Sequence, residues 1–391
     1  MKKIHIDYAI LGAGIAGLWL HYRLNHQGCQ SLLIDINPIG SGQTLSAQGI
    51  IHGGTKYSLS GALSRSAEAI STMPKRWTDC IKGEGDVNLT NTKLLSDHQL
   101  MWSTKTLTGK LTTFLSNSVA HGRISTVSAS NVPSYLLDKD SSSIYKLEEP
   151  VIDISSLLVD ISSQYRDLII QPKEYKIHRT SDGKVQLIID EFILEPEQLF
   201  LTAGKGNRDI LQQLNIKHIS MQLRPLQMIF VKAPKLPKIF GHYIGASTKP
   251  LATVTSHNHK DGNTIWYIGG NIAEEGAKKD LKQLINDTKN LLSSAIASVD
   301  LTQAKWATHY IERAESKQIK LFRPDTVFIK SVNNIHICWP TKLALAPLLS
   351  DKIFEKINIQ PSTNTNDTQE LSSRYPAKIS EPPWNRIVYD I

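Results

Sequence analysis

Residues 4–17 decide the fold of this chain, and they read Ile-His-Ile-Asp-Tyr-Ala-Ile-Leu-Gly-Ala-Gly-Ile-Ala-Gly. The apolar residues up to Leu11 predict a buried strand, and those after Gly17 predict a helix that ends near Gly28. Residues 31–36 predict a second strand, which ends near Asp35. A strand, a helix and a strand in this order are typical of parallel pairing in an α/β domain.

Three glycines with the spacing Gly12-x-Gly14-x-x-Gly17 follow the first strand. In this motif the first glycine permits a tight turn, the second lets a pyrophosphate approach the backbone, and the third lets helix and strand pack closely. The helix N-terminus then faces the phosphates with its N–H groups and its positive dipole end. A carboxylate about twenty residues later can accept the hydroxyl groups of an adenosine ribose. The motif therefore predicts a dinucleotide, NAD or FAD, with contacts from Gly12, Gly14, Ile15, Ala16, Gly17, Asp35 and Ile36.

The composition is that of an ordinary globular protein long enough for two domains: 391 residues, 40% hydrophobic and 20% charged. The net charge is +8, and the Lys and Arg residues are scattered rather than clustered. Such scatter favours a solvated basic surface over a specific nucleic-acid site, although a basic balance also suits an anionic substrate or membrane surface. No apolar run approaches the ~18 residues that span a bilayer, so no transmembrane segment is predicted.

The compartment can be inferred from the cysteines and from the N-terminus. The three cysteines lie far apart, without the spacing of a disulfide framework or of a metal site, which fits a reducing compartment. The residues after Lys2-Lys3 resemble a signal peptide, but His5 and Asp7 interrupt the apolar region. We therefore expect a cytoplasmic protein without a metal site, and leave peripheral contact with the inner face of the membrane open.

Apolar periodicity and turn residues predict further elements along the chain. Helices are predicted over 61–79, 154–166 and 278–298, and strands over 199–203 and in short pieces of 86–103. Hairpin turns are predicted at Asp182-Gly183, between 175–177 and 185–189, and at Asp261-Gly262, between 252–256 and 264–268. The polar segment 360–377 predicts a loose connection.

The loop over 41–57 resembles a known family. It reads Ser-Gly-Gln-Thr-Leu-Ser-Ala-Gln-Gly-Ile-Ile-His-Gly-Gly-Thr-Lys-Tyr and is similar to the D-amino-acid oxidase superfamily of FAD enzymes, nearest its glycerol-3-phosphate and 2-hydroxyglutarate dehydrogenase branches. Residues 201–204 and 334–347 are similar to two further blocks of that family, which often has glycines where this chain has Trp339-Pro340. The resemblance implies FAD as the cofactor. It implies these additional contacts: Gly42, Thr44, Ser46, Ala47, Gln48, Gly49, Ile51, Ala203, Gly204, Pro340, Thr341, Lys342 and Leu343.

The resemblance also implies an α/β fold with two domains interleaved in sequence. We expect a Rossmann-like FAD-binding domain of the glutathione-reductase type over 1–85, 150–220 and 318–358. An α+β substrate or cap domain, built on a mostly antiparallel sheet, would take 86–149 and 221–317. Residues 359–391 would form a polar C-terminal tail. The site would lie between the domains, where ligand pockets commonly form.

His52 is the titratable residue of greatest interest. An imidazole in water titrates near pH 6.5, so His52 could accept a proton while hydride leaves the substrate. It could instead only hydrogen-bond its loop. A third interpretation, by analogy with the dimethylglycine dehydrogenase branch of the family, is a covalent bond to FAD.

Several cationic and aromatic residues are candidates for the substrate pocket. Arg224 could clamp a carboxylate or phosphate, or form an interdomain salt bridge. Lys56 and Tyr57 are predicted to bind substrate, and Lys342 could stabilise charge on the reduced flavin or be a solvated lysine. Weaker candidates are Arg313 and Arg323, whereas Trp266, Tyr267 and Trp306 are expected in the core or at an interface.

The implied function is FAD-dependent oxidation of a small anionic amine or hydroxy acid, with hydride transfer to flavin N5 and electrons passed to oxygen, a quinone or a carrier. The basic charge leaves a tRNA-modifying flavoenzyme as an alternative, although no specific nucleic acid is expected. An FAD-bearing assembly or scaffold protein without turnover is the other alternative.

Overall fold

A computed structural model describes residues 1–54, 70–103, 124–136, 144–245, 249–317, 327–340, 342–361 and 368–389. Within these ranges, no helix has the length and apolar character needed to cross a membrane. The three cysteines are buried free thiols.

The helices of the described ranges are α1 (Ile15–His26), α2 (Met73–Lys82), α3 (Ile154–Ser163), α4 (Asn207–Gln213), α5 (Asn271–Gly276), α6 (Leu281–Ala295), α7 (Ala346–Lys356), α8 (Gln369–Arg374) and α9 (Pro383–Arg386). The strands are β1 (Lys2–Leu11), β2 (Ser31–Ile34), β3 (Leu94–Ser96), β4 (Gln99–Ser103), β5 (Ile124–Thr126), β6 (Tyr145–Leu147), β7 (Val151–Ile152), β8 (Ile169–Ile170), β9 (Lys176–Arg179), β10 (Val185–Ile189), β11 (Phe192–Leu201), β12 (Met221–Lys232), β13 (Phe240–Ile244), β14 (Pro250–Asn258), β15 (Thr264–Gly269), β16 (Lys305–Ser316), β17 (Phe328–Val332) and β18 (Ile335–Trp339).

The first sheet has a parallel centre. Its main order is β17-β18-β11-β1-β2-β8, and β10 and β9 extend from β11. β1 pairs in parallel with β11 and β2, and β11 pairs in parallel with β18. α1 crosses over between β1 and β2, as the glycine spacing predicted, and its residue Trp19 is fully buried.

The second sheet is mostly antiparallel, in the order β16-β12-β15-β14-β13-β4-β6-β5. Among the described pairs, β13 with β4 is parallel. One core packs on this sheet: Trp266 and Trp306 are buried, together with Leu284, Ile285 and Leu292 of α6. Tyr267 is also buried, so the expectation of core aromatics is confirmed.

The predicted fold class, an α/β domain combined with a mostly antiparallel sheet, is confirmed. The strands of the first sheet all lie within 1–85, 150–220 and 318–358, and those of the second sheet all lie within 86–149 and 221–317. The pair β3 and β7 joins one strand from each set. These memberships support the proposed domain division.

Both Asp-Gly hairpins form where they are predicted, as β9–β10 and β14–β15. Gly183 and Gly262 have φ of 87° and 85°, a backbone conformation that glycine adopts without strain. The helices predicted over 154–166 and 278–298 appear as α3 and α6, each shorter than expected. For the helix predicted over 61–79, residues 61–69 lie outside the described residues, and the described part extends to Lys82.

The C-terminal segment differs from the loose polar tail that its composition predicts. Leu371 of α8 is fully buried in the core of the first sheet, and Trp384 of α9 is buried against the second sheet. Between them, Pro376 and Ile379 form isolated bridges with residues 170 and 39. Residues 368–389 therefore run from one sheet to the other, because a few large apolar side chains anchor an otherwise polar segment.

Candidate functional site

The glycine turn between β1 and α1 is pressed against the end of β11. Gly12 has φ of 113°, and a Cβ atom there would lie 2.5 Å from the backbone of Ala203. A Cβ on Gly17 would lie 2.0 Å from the carbonyl oxygen of Gly12. Only glycine fits either position, and the close packing that the sequence motif predicts is therefore present.

Gly14 is the N-cap residue of α1, and it has no side chain that could bond the N–H groups at this helix end. A Cβ on Gly14 would meet Thr44 Oγ1 at 3.1 Å, and the Ile15 N–H donates to the same oxygen at 2.9 Å. The loop over 40–54 therefore closes over the helix end. A glycine at a helix N-terminus leaves the backbone N–H groups without a covering side chain of their own, as a pyrophosphate needs, so this end of the site fits FAD. Ala16 is buried in the first turn of the same helix.

Asp35 follows β2 and fixes the glycine turn. Its Oδ2 accepts the Ala13 N–H at 2.8 Å, and its Oδ1 accepts the Asn37 N–H at 2.9 Å. Burial raises the pKa of the Asp35 carboxyl, and these N–H donors act in the opposite direction. Each carboxylate oxygen has two lone pairs, so the carboxylate retains acceptor capacity for a ribose. Ile36 beside it is exposed.

The loop over 40–54 joins the two sheets. The Tyr267 hydroxyl donates to the Ser46 carbonyl at 2.8 Å. The Gln48 Nε2 donates to the carbonyls of Thr253 at 3.0 Å and Tyr267 at 2.9 Å. Any FAD contact of Gln48 therefore does not involve its amide nitrogen, which the second sheet already binds. Gly42 is exposed, and a Cβ there would meet nothing within 4 Å.

The end of the loop pairs with residues 150–152. Gly49 has φ of 77°, and its carbonyl accepts the Ile152 N–H at 2.9 Å. The Ile51 N–H donates to the Pro150 carbonyl at 2.9 Å. Ala47, half-buried, precedes this paired stretch. This pairing fixes the position of the next residue, His52.

His52 belongs to a cluster with Glu149 and His242, which sequence reasoning did not identify. His52 Nδ1 lies 3.1 Å from Glu149 Oε2, and the Glu149 side chain is only 2% exposed. The His52 ring stacks on that of His242, with centroids 6.0 Å apart. One potential ligand atom from each of the three residues lies within 4.8 Å of the others, so the side chains are of a type that binds metals. The short Nδ1–Oε2 contact has the length of a hydrogen bond, and we interpret the cluster that way.

Two further blocks border the glycine turn. The Ala203 N–H donates to Asn207 Oδ1 at 2.9 Å, and the Trp339 Nε1–H donates to the Gly204 carbonyl at 3.0 Å. Trp339 thus ties the end of β18 to the end of β11. Pro340, Lys342 and Leu343 follow and are half-buried, and the Lys342 N–H donates to the Pro340 carbonyl at 2.7 Å.

Arg224, which lies on β12 of the second sheet, forms ion pairs with two carboxylates. Its guanidinium nitrogens lie 3.8 Å from Glu274 of α5 and 3.8 Å from Glu315 of β16. Arg313, directly opposite Arg224 on β16, lies 3.6 Å from the same Glu274. These two ion pairs do not join the two sheets, because Glu315 belongs to the second sheet and Glu274 to the helix that follows β15. Substrate binding by Arg224 stays a prediction.

Four of the predicted residues lie outside the described ranges: Lys56, Tyr57, Thr341 and Arg323. The described part of the site is less positive than the sequence suggests, since the buried Glu149 lies against His52 and two glutamates accompany Arg224.

A cleft of about 430 Å³ lies elsewhere, between α2 and α7. Its charged lining is internally paired: Arg76 donates to Asp86 at 2.6 Å and also contacts Asp351. Desolvation opposes the charge on Arg76, but its two carboxylate partners outweigh that effect and raise its pKa. The cleft contains none of the residues that the motifs identify.

Comparisons with known proteins agree with this geometry. The family described as DAO, FAD dependent oxidoreductase, matches residues 7–95. The probable FAD-dependent oxidoreductase PA4991 of Pseudomonas aeruginosa is 37% identical over 388 residues, which cover 98% of both chains. Its crystal structure has a TM-score of 0.85 to this chain, at 33% identity and 98% coverage of both chains.

More distant structures share the fold. L-α-glycerophosphate oxidase from Mycoplasma pneumoniae has a TM-score of 0.66 at 12% identity, with 98% of both chains covered. Glycine oxidase from Geobacillus kaustophilus has a TM-score of 0.67 at 12% identity, with 98% of this chain and 100% of that chain covered. From the full-length relative and the family match, this chain belongs to the DAO family of FAD-dependent oxidoreductases.

Proposed function

We propose that this enzyme oxidises a small amino acid or hydroxy acid that carries a carboxylate or phosphate, and that His52 accepts the substrate proton. The observation that carries the proposal is the position of His52. It ends the loop that closes over α1, and it lies against Glu149 and His242 from the other half of the site. A titratable side chain at the junction of the two sheets is where proton transfer to and from a bound substrate is needed.

The described residues fit FAD, which as a bound cofactor would accept a hydride at N5. Gly12, Gly14 and Gly17 would hold the pyrophosphate at the N-terminus of α1, and Asp35 would bind the ribose. Residues 42–51 would border the remainder of the cofactor. The other proposed contacts are Ile15, Ala16, Ile36, Ala203, Gly204, Pro340, Thr341, Lys342 and Leu343.

In the proposed step the chain accepts the proton of the substrate and the cofactor would accept the hydride. The O–H or N–H bond of the substrate breaks, and its proton goes to an imidazole nitrogen of His52. The adjacent C–H bond breaks, its electron pair leaves with the hydrogen as a hydride that bound FAD would accept, and the substrate gains a C=O or C=N double bond. The side chain of His52 is 28% exposed, so the proton can pass on to solvent between turnovers.

An anionic substrate is supported by the residues that border the site and by the relatives. Arg224 and Lys342 are the cations that we propose for this pocket, and a substrate anion would replace Glu274 or Glu315 as the partner of Arg224. The related structures include glycine oxidase, L-α-glycerophosphate oxidase and L-proline dehydrogenase, whose names specify small molecules with a carboxylate or phosphate.

The test is anaerobic mixing of the FAD-loaded protein with four compounds that each carry a carboxylate or phosphate, here called the test anions for that group: glycine, L-proline, sn-glycerol 3-phosphate and L-2-hydroxyglutarate. Glycinamide, L-prolinamide, glycerol and the diamide of L-2-hydroxyglutarate serve, in the same order, as controls that lack the anionic group. We expect one anion to remove the absorbance of oxidised flavin and its control to leave it unchanged. Reduction by a control alone would overturn the proposal. Flavin fluorescence that stays with the acid-denatured wild-type chain and is lost in His52→Ala would assign His52 to cofactor attachment instead.

A further inference from the structure

Glu149 is a buried carboxylate whose oxygens receive hydrogen bonds from both halves of the site. Its Oε1 accepts the Gly53 N–H at 2.8 Å, and its Oε2 accepts from Gln99 Nε2 at 3.2 Å. The same Oε2 lies 3.1 Å from His52 Nδ1. Gln99 belongs to β4 of the second sheet, whereas Gly53 and His52 end the loop from the first.

The identity of the donors determines where the protons lie. A backbone N–H can only donate, so Oε1 must be an acceptor. Burying a charged carboxylate costs free energy unless donors surround it, and here donors occupy both oxygens. Gln99 presents its amide nitrogen, because its carbonyl oxygen would repel the carboxylate. With Oε2 as an acceptor, the proton between Glu149 and His52 belongs to His52 Nδ1.

We infer that Glu149 is a positioning residue that holds His52 in the Nδ1–H tautomer. This inference rests on the proposed function, in which His52 accepts the substrate proton. A neutral imidazole with hydrogen on Nδ1 has its lone pair on Nε2, so Nε2 is the atom that receives the proton. The negative carboxylate then stabilises the imidazolium, as a buried carboxylate does behind the histidine of a hydrolase triad.

His242 fixes the plane of the His52 ring. The two rings are nearly parallel, at 20°, and His242 is itself held by a 2.8 Å contact between its Nδ1 and Thr253 Oγ1. His242 is fully buried on β13, next to β4 in the second sheet. The orientation of His52 therefore depends on contacts from the second sheet.

The test is the tautomer of His52, measured by NMR on ¹⁵N-histidine-labelled, FAD-loaded protein. His52→Asn identifies the signals of this residue. In the wild type we expect neutral His52 to carry hydrogen on Nδ1. In Glu149→Gln the amide can donate to Nδ1, so the tautomer should change to Nε2–H. Glu195→Gln, the same substitution at another buried carboxylate, should leave the His52 signals unchanged.

The rate of flavin reduction gives the second readout, with whichever anion of the four reduces the flavin. Glu149→Gln should reduce this rate by about 100-fold or more and leave the FAD content unchanged. An Nε2–H tautomer in the wild type, or an unchanged tautomer in Glu149→Gln, would overturn the role of Glu149. A changed tautomer with an unchanged rate would instead overturn His52 as the proton acceptor.

Discussion

Replacing Gly14 with alanine should remove FAD from the protein while the chain remains folded. Gly14 caps α1 with φ of −81°, a value that alanine adopts without strain. The added Cβ would meet one atom, Thr44 Oγ1, at 3.1 Å, and the threonine side chain can move by a few tenths of an ångström. The methyl group would, however, stand where the pyrophosphate must approach the backbone.

The two effects differ in size. In the apoprotein the added Cβ requires a small shift of the Thr44 side chain, which is destabilising, whereas alanine lowers the entropy of the unfolded chain, which is stabilising. The free energy of unfolding should therefore change by less than about 1 kcal/mol. Displacing the phosphates should remove about two charge-assisted hydrogen bonds, each worth about 1.5–3 kcal/mol. FAD should therefore bind about 100-fold to 10,000-fold more weakly.

The assay compares FAD content after reconstitution with urea denaturation of the apoprotein. Gly262→Ala is the control, because Gly262 has φ of 85° in the β14–β15 turn and a Cβ there would meet nothing within 4 Å. It should cost about 1 kcal/mol of stability and leave FAD content unchanged. FAD bound by Gly14→Ala as tightly as by the wild type would refute the proposed path of the pyrophosphate.

Arg224, Trp384 and the buried histidines each carry a further expectation. Arg224→Ala should weaken an anionic substrate by about 2 kcal/mol without loss of FAD; saturation curves for flavin reduction that match the wild type at low and high salt would leave Arg224 a structural ion pair. Trp384→Ala should lower the free energy of unfolding by about 3–5 kcal/mol, since the indole is 2% exposed and stacks on His257 at 4.3 Å; a loss below about 1 kcal/mol in urea denaturation would contradict that packing. Burial lowers the pKa of His21 and His336 to about 4 and that of His257 to about 3. These values lie below the unfolded value near 6.5, so the stabilising contribution is present above that pH and is lost as the pH falls. Between pH 7 and 5 the free energy of unfolding should drop by about 2 kcal/mol for each histidine, and a constant value would contradict the burial.

The elements that the sequence predicts well are those specified by neighbouring residues. The β1–α1–β2 unit follows from Gly12, Gly14 and Gly17, and two hairpins follow from Asp-Gly pairs that need positive φ. The composition and apolar periodicity of each segment were enough to predict these elements, because the residues that define each one lie within about thirty residues of each other along the chain.

The features that the sequence does not predict depend on distant partners. Glu149 is 97 residues from His52, and nothing in its own surroundings distinguishes it from a solvated glutamate. Likewise, the ion pairs of Arg224 with Glu274 and Glu315 arise from strand pairing across the second sheet. Such contacts appear only when the order of the strands is known.

The C-terminal segment shows a different limit. Residues 360–377 are mostly polar, and low apolar content usually indicates a loose connection. Leu371 and Trp384 nevertheless bury completely or almost completely, each against a different sheet. Apolar content averaged over a stretch of sequence does not reveal a few large side chains that are buried. The surfaces against which these side chains pack are formed by residues far away in the sequence.

The central claim is that His52 accepts the substrate proton beside FAD, and single-turnover flavin reduction tests it most directly. FAD-loaded wild type and His52→Asn are mixed anaerobically with the reducing anion, and the loss of oxidised-flavin absorbance is followed in time. General-base catalysis contributes about 100-fold to 10,000-fold, so His52→Asn should be slower by that factor while its FAD content and absorbance spectrum match those of the wild type. Equal rates of flavin reduction in the two proteins would contradict the claim.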